Sequence, residues 1–282
     1  MTYKLPELED DGLLTPEVGE WGEDKYRLVG YYATLFANSM KGKWGSRVYI
    51  DLFSGAGRAR IKGTNRIVPA SPLLALDVQR KFDHYIFCEL DRDKLSALEQ
   101  RVSRDYPGVG AHYIPGDTNE NVGEILKRIP QHYPGFSVLS FCFVDPYRLE
   151  HLSFETIKQL STRLMDFLVL IPSGMDANRN KDKYIKEENR KVDRFLGTTE
   201  WRSDWTAAEA RGESFERFIR DYFGRQMERL GYIYTGAEDM KPIRLTEKNV
   251  LLYRLAFFSR SELGRQFWEQ ARKYSDDQGS FF

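Results

Sequence analysis

The run Tyr49-Ile50-Asp51-Leu52-Phe53-Ser54-Gly55-Ala56-Gly57-Arg58 decides how this 282-residue chain folds. Its first half is apolar and rich in strand formers, and it runs straight into two glycines one residue apart. In an open α/β sheet such a strand delivers a turn of bare peptide N–H groups to the carboxyl edge, where ligands bind. Working outward, the same alternation of short β-type runs with helical patterns predicts strands over 47–53, 84–90, 111–115, 137–144 and 166–171. Helices are expected over 22–41, 72–80, 93–106, 119–128 and 153–163. Right-handed crossovers then place helices on both faces of a parallel sheet.

After residue 171 the alternation breaks. Residues 175–212 are polar and charge-dense and read as a helical insertion after strand five, placed to contact substrate. An amphipathic helix over 213–230, two strands over 232–235 and 251–258, and a last helix over 263–274 complete the pattern. The expectation is a seven-stranded mixed sheet: five parallel strands plus an antiparallel pair. Its organisation would be a flexible acidic tail or loosely docked arm (1–20), a ligand-binding core (21–174), the insertion (175–212) and a C-terminal part of the core (213–282).

With 41% hydrophobic and 30% charged residues the composition is that of a globular chain and excludes a disordered or fibrous one. No apolar run approaches the ~20 residues of a membrane span, and the start has neither the basic nor the apolar region of a secretory signal, so a cytoplasmic protein without membrane contact is expected. Cys88 and Cys142 lie inside strand-type runs and read as buried hydrophobes, and the four histidines are scattered singly, so no metal site is expected. The 42 bases equal the 42 acids, but the first 24 residues hold eight of the acids and only one base. The remainder therefore carries seven more bases than acids, compatible with a nucleic-acid partner.

Acids recur at the ends of the following strands. Glu89 ends the second, where a carboxylate accepts hydrogen bonds from ribose hydroxyls; Asp117 follows the third and Asp145-Pro146-Tyr147 the fourth. A nicotinamide-dinucleotide fold is the nearest competitor, but Arg60 stands where its third glycine belongs, and Glu89 comes 34 residues after Gly55 rather than about 20. The pattern D-x-F-x-G-x-G instead resembles the first motif of S-adenosylmethionine (SAM) methyltransferases, particularly those of nucleic acids.

Over most of its length, from Trp21 to about Tyr274, the chain resembles the three-Cys-motif partner (TcmP) proteins. The likeness is carried by WGEDKYRLVGYY, YIDLFSGAGR, IVPASPLLAL, YIFCELD, GDTNENV, FVDPYRL and LLYRLAFFSRSELGRQFW. This resemblance implies a Rossmann-like class I methyltransferase fold and SAM as cofactor. By similarity, Asp51, Phe53, Ser54, Gly55 and Gly57 would line its amino-acid end, Glu89 and Leu90 its ribose side, and Asp117 with Thr118 its adenine. Asp145-Pro146-Tyr147 resembles, with one proline missing, the D/N-P-P-Y/F motif of enzymes that methylate exocyclic amino groups, where the acid aligns the target nitrogen and the aromatic ring stacks on the base.

Arg58 and Arg60, in the 58–70 stretch that delays the next helix, are candidates for a basic lip over the ligand; Lys183, Arg190 and Trp201 of the insertion are candidates for substrate contact. The function expected is SAM-dependent methylation of a nucleic acid at an exocyclic amino group. The alternatives are a SAM-binding subunit that acts only with a neighbouring three-Cys-motif protein, and a small-molecule methyltransferase.

Overall fold

In the computed structural model, residues 5–245 and 250–276 are described. A seven-stranded sheet forms from β2 (Ser46–Asp51), β5 (His84–Glu89), β6 (Ala111–Pro115), β7 (Val138–Val144), β8 (Met165–Ile171), β9 (Lys241–Leu245) and β10 (Val250–Phe258). Their spatial order is β6-β5-β2-β7-β8-β10-β9. The first five run parallel, and β10 is antiparallel to both neighbours. This is a Rossmann-like α/β topology, the seven-stranded mixed sheet expected from the sequence. The order reverses at β2, so the turn after Asp51 lies at the topological switch point, the place where open α/β sheets bind ligands.

Both faces of the sheet are apolar because both are covered. Val48, Ile50 and Leu52 point into a core shared with α4 (Val122–Arg128), α5 (Phe154–Leu160) and α9 (Phe215–Arg229). Tyr49 points the other way, into a core with α1 (Trp21–Met40), α2 (Ser71–Leu76), α3 (Arg92–Asp105) and α10 (Glu262–Asp276). Continuous apolar strands are what a doubly covered parallel sheet requires.

Three expectations need correction. First, the arm from Leu5 onward is docked. Leu5 is buried, the Leu8 N–H donates to the Ile67 carbonyl (2.8 Å), and β1 (Glu17–Val18) pairs with β3 (Arg58–Ile61), which with β4 (Ile67–Pro69) makes a second, three-stranded sheet. The arm is anchored by Asp11, whose carboxylate grips the buried Arg101 guanidinium of α3 at 2.7 Å. Second, 232–235 is not a strand; the edge strand is β9, inside the stretch expected to connect two strands. The Ile233 N–H and the Thr235 hydroxyl donate to the Ser259 and Phe257 carbonyls, and regular strand pairing with β10 begins only at Lys241. Third, the 175–212 stretch is helical (α6, Asn178–Tyr184; α7, Lys191–Leu196; α8, Trp201–Ala210), but it belongs to the main core: Tyr184, Val192, Phe195, Trp201 and Trp205 are buried in it.

Candidate functional site

At the tip of β2 the Asp51 side chain is fully buried. Its carboxylate accepts from the Phe53 N–H (3.2 Å) and the Tyr49 hydroxyl (3.1 Å). Burial pushes its pKa up to about 7 against the hydrogen bonds of Ser71, Phe53 and Tyr49, with the nearby Asp145 charge adding to the rise. Asp51 therefore shapes the turn from beneath and does not itself line an open surface.

The two glycines have different roles. Gly55 (φ +60°) faces open space, and its N–H donates to Glu89 Oε2 at 2.8 Å. Gly57 (φ +82°) is buried, and a Cβ there would meet Leu98 Cδ1 at 2.8 Å, so its function is to let α3 pack close. The half-buried Phe53 packs on the core beneath the turn, while Ser54 is buried with its Oγ lacking any partner among the described residues.

Glu89, at the tip of β5, holds the Asp91 N–H with its other oxygen (3.0 Å), so it already spans the mouth between β2 and β5. Beside it Leu90 is 70% exposed, an apolar side chain left bare at a strand end. Next to β6, Asp117 Oδ1 accepts from the backbone and side chain of Asn119, and the buried Thr118 Oγ1 has no partner among the described residues. Asn119 in turn receives the Ser153 N–H and Thr156 hydroxyl, tying the β6 turn to the segment after β7. The structure thus gathers Gly55, Glu89, Leu90, Asp117 and Thr118 along one edge and adds Asn119, whose role nothing in the sequence pattern signals.

At the tip of β7, Asp145 Oδ2 lies 2.5 Å from the Lys25 ammonium of α1; the two side chains are 17% and 5% exposed. Burial works against the Lys25 charge, yet the Asp145 carboxylate holds its pKa above the ordinary lysine value. The ammonium also sits 4.8 Å from the Tyr26 ring and 5.4 Å from that of Trp21. Lys25 escapes sequence reasoning, although a signal is present: four residues after Trp21, it is a single lysine on the buried stripe of an amphipathic helix. Pro146 is buried, and Tyr147 is 65% exposed, with its ring against His151 and the Arg148 guanidinium 5.7 Å away.

Candidate substrate residues divide. Trp201 is not a stacking surface: it is fully buried and its Nε1 donates to Asp193 (2.8 Å), which also holds Arg190 and Arg202. Arg58 and Arg60 do not form a free basic lip, because the docked arm neutralises them: Arg58 pairs with Asp11 (3.3 Å) and Arg60 with Asp10 (2.6 Å). Lys183 is exposed on α6. The thiols are out of play for nucleophilic chemistry, since burial pushes Cys88 up to about 12 and Cys142 well above its ordinary value.

No family model matches the chain, and no curated protein does. Similar solved structures include a Legionella pneumophila protein (13% identity, 90% of this chain and 93% of that one, TM-score 0.49). The O-methyltransferase TomG of Streptomyces achromogenes, solved with SAM, is 12% identical over 84% of this chain and 80% of its own (TM-score 0.45). The magnesium protoporphyrin IX methyltransferase of Synechocystis, solved with S-adenosylhomocysteine, is 8% identical over 85% and 86% (TM-score 0.42). At these scores the likenesses are distant and fix neither activity nor substrate of this chain.

Proposed function

We propose that the chain is a SAM-dependent methyltransferase of the TcmP type that acts on a nucleic acid at an exocyclic amino group. The observation that carries this is the Gly55–Glu89 bridge at the switch point: a half-buried carboxylate, held in place by two backbone N–H groups, and an open glycine turn meet where a nucleoside would lie. The orphaned Ser54 and Thr118 hydroxyls flanking it fit a polar ligand that supplies their missing partners. Glu89 would accept both ribose hydroxyls, exposed Leu90 would cover the adenine face, and Asp117 would accept from the adenine amino group. The bound cofactor supplies an electrophilic methyl group.

The chain's own residues then position the acceptor. Lys25 occupies Asp145 Oδ2 and leaves Oδ1 with no hydrogen-bond partner among the described residues. That oxygen would accept a hydrogen bond from the target N–H, directing the nitrogen lone pair, and would receive the proton released as the N–C bond forms and the S–C bond breaks. Tyr147 would stack on the ring that bears the amine. The test is transfer of tritiated methyl from SAM to total DNA and RNA: labelling by wild type that falls at least a hundredfold in an Asp145→Ala protein that still binds S-adenosylhomocysteine supports the assignment, and labelling unaffected by Asp145→Ala refutes it.

The same salt bridge favours a second reading. With half its carboxylate already held by Lys25, Asp145 is a weaker acceptor than a free aspartate, which suits a SAM-binding subunit completed by a neighbouring three-Cys-motif protein. Labelling that appears only when that protein is added would select it.

A further inference from the structure

A cleft of about 380 Å³ opens beside Asp145, between α1, the turn after β7, the residues following β8 and the β9–β10 pair. Its walls are Trp21, Tyr147, Tyr253 and Leu252, and its rim carries Arg148 and Arg179. Trp21 and Tyr253 rings stand 4.9 Å apart, and the Lys25 ammonium lies behind Trp21, so the aromatic wall backs directly onto the Lys25–Asp145 pair. Arg179 has no partner among the described residues. One turn further along α6, Lys183 is also exposed and unpartnered among them, on the same side of the helix. Against three cations α6 carries one acid, Asp182.

We propose that this cleft takes a single unstacked nucleotide of a nucleic-acid strand, with its base on the aromatic wall and its phosphates on Arg179 and Lys183. The assignment deepens the methyltransferase function above and rests on it for the identity of the reacting edge. The chemistry is that of single-strand recognition: flat π-faces for any base and a row of cations for the backbone. A base reaches the aromatic wall only after leaving its stack, so a strand whose bases are already free is preferred over a duplex, which must first give up stacking.

The test uses the full chain and fluorescein-labelled 12-nucleotide strands of mixed sequence, DNA and RNA, single and duplex, read by anisotropy, with AMP and CMP as competitors. Single strands are expected to bind at least tenfold more tightly than the duplexes and than either mononucleotide. Tyr147→Ala is expected to weaken single-strand binding roughly five- to hundredfold. Arg179→Ala with Lys183→Ala is expected to lower the slope of log Kd against log salt by about 1–2. S-adenosylhomocysteine binding by the Arg179→Ala/Lys183→Ala protein, measured on the same preparations, should equal wild type, which shows that the fold is intact. Single-strand binding that is absent, unchanged in Tyr147→Ala, or no tighter than that of duplex or mononucleotide overturns the proposal. Loss of S-adenosylhomocysteine binding in wild type overturns the cofactor assignment instead, and the strand measurements still judge the cleft.

Discussion

Lys25 and Asp145 show how much one pair can decide. A lysine removed from water needs a partner, and removing either member strands the other. Lys25→Met is therefore expected to cost about 3 kcal/mol of stability in urea unfolding, and Lys25→Met combined with Asp145→Leu clearly less than the sum of the single changes. An additive result would mean that the two charges do not interact. The acids at the strand ends are legible in the sequence because their position after an apolar run is a matter of chain order. Lys25 is not, since its partner lies 120 residues away and only the fold brings them together. Likewise Gly55 and Gly57 look equivalent in the sequence, and only the packing of Leu98 separates the one that faces a ligand from the one that admits a helix.

Among the elements, the parallel strands are legible nearly to their ends, because burial on both faces leaves a continuous apolar signature. The acidic arm and edge strand β9 are not. Both are held by polar and backbone contacts rather than by periodic apolar faces: Asp11 on Arg101, Asp10 on Arg60, and Lys241–Leu245 on β10. Because Arg101 is fully buried, Asp11→Ala is expected to destabilise the protein by about 3 kcal/mol and to speed proteolysis within the arm, while Asp10→Ala, at an exposed pair, leaves both nearly unchanged. Equal effects would contradict the anchoring role of Asp11. In the insertion the sequence offers Trp201 as a base platform, but α7 and α8 bury it as core. Trp201→Ala is thus expected to cost roughly 3–5 kcal/mol of stability, and a fully stable Trp201→Ala variant would refute that placement.

For the whole molecule the buried acids set a pH dependence. Asp51 and Asp166 are both pushed by burial from the ordinary 3.8 to about 7. A carboxyl raised in the folded state weakens that state as pH climbs between these two values, whereas Asp11, held low by Arg101 despite partial burial, adds stability that is lost as pH falls below its ordinary value. Stability is therefore expected to decline from pH 5 to pH 8, and Asp166→Asn, remote from the cleft, to reduce that decline by roughly 2 kcal/mol in urea unfolding. An unchanged decline in Asp166→Asn would contradict the burial of a titrating carboxyl there.

The central claim is that the Gly55–Glu89 mouth of the sheet holds an adenosyl cofactor, and isothermal calorimetry tests it most directly. Wild-type protein titrated with S-adenosylhomocysteine is predicted to bind at one site, with Glu89→Ala, verified as folded by thermal unfolding, weaker by roughly ten- to hundredfold through loss of charged hydrogen bonds to the ribose. No heat of binding to wild type, or equal affinity in Glu89→Ala, would contradict it.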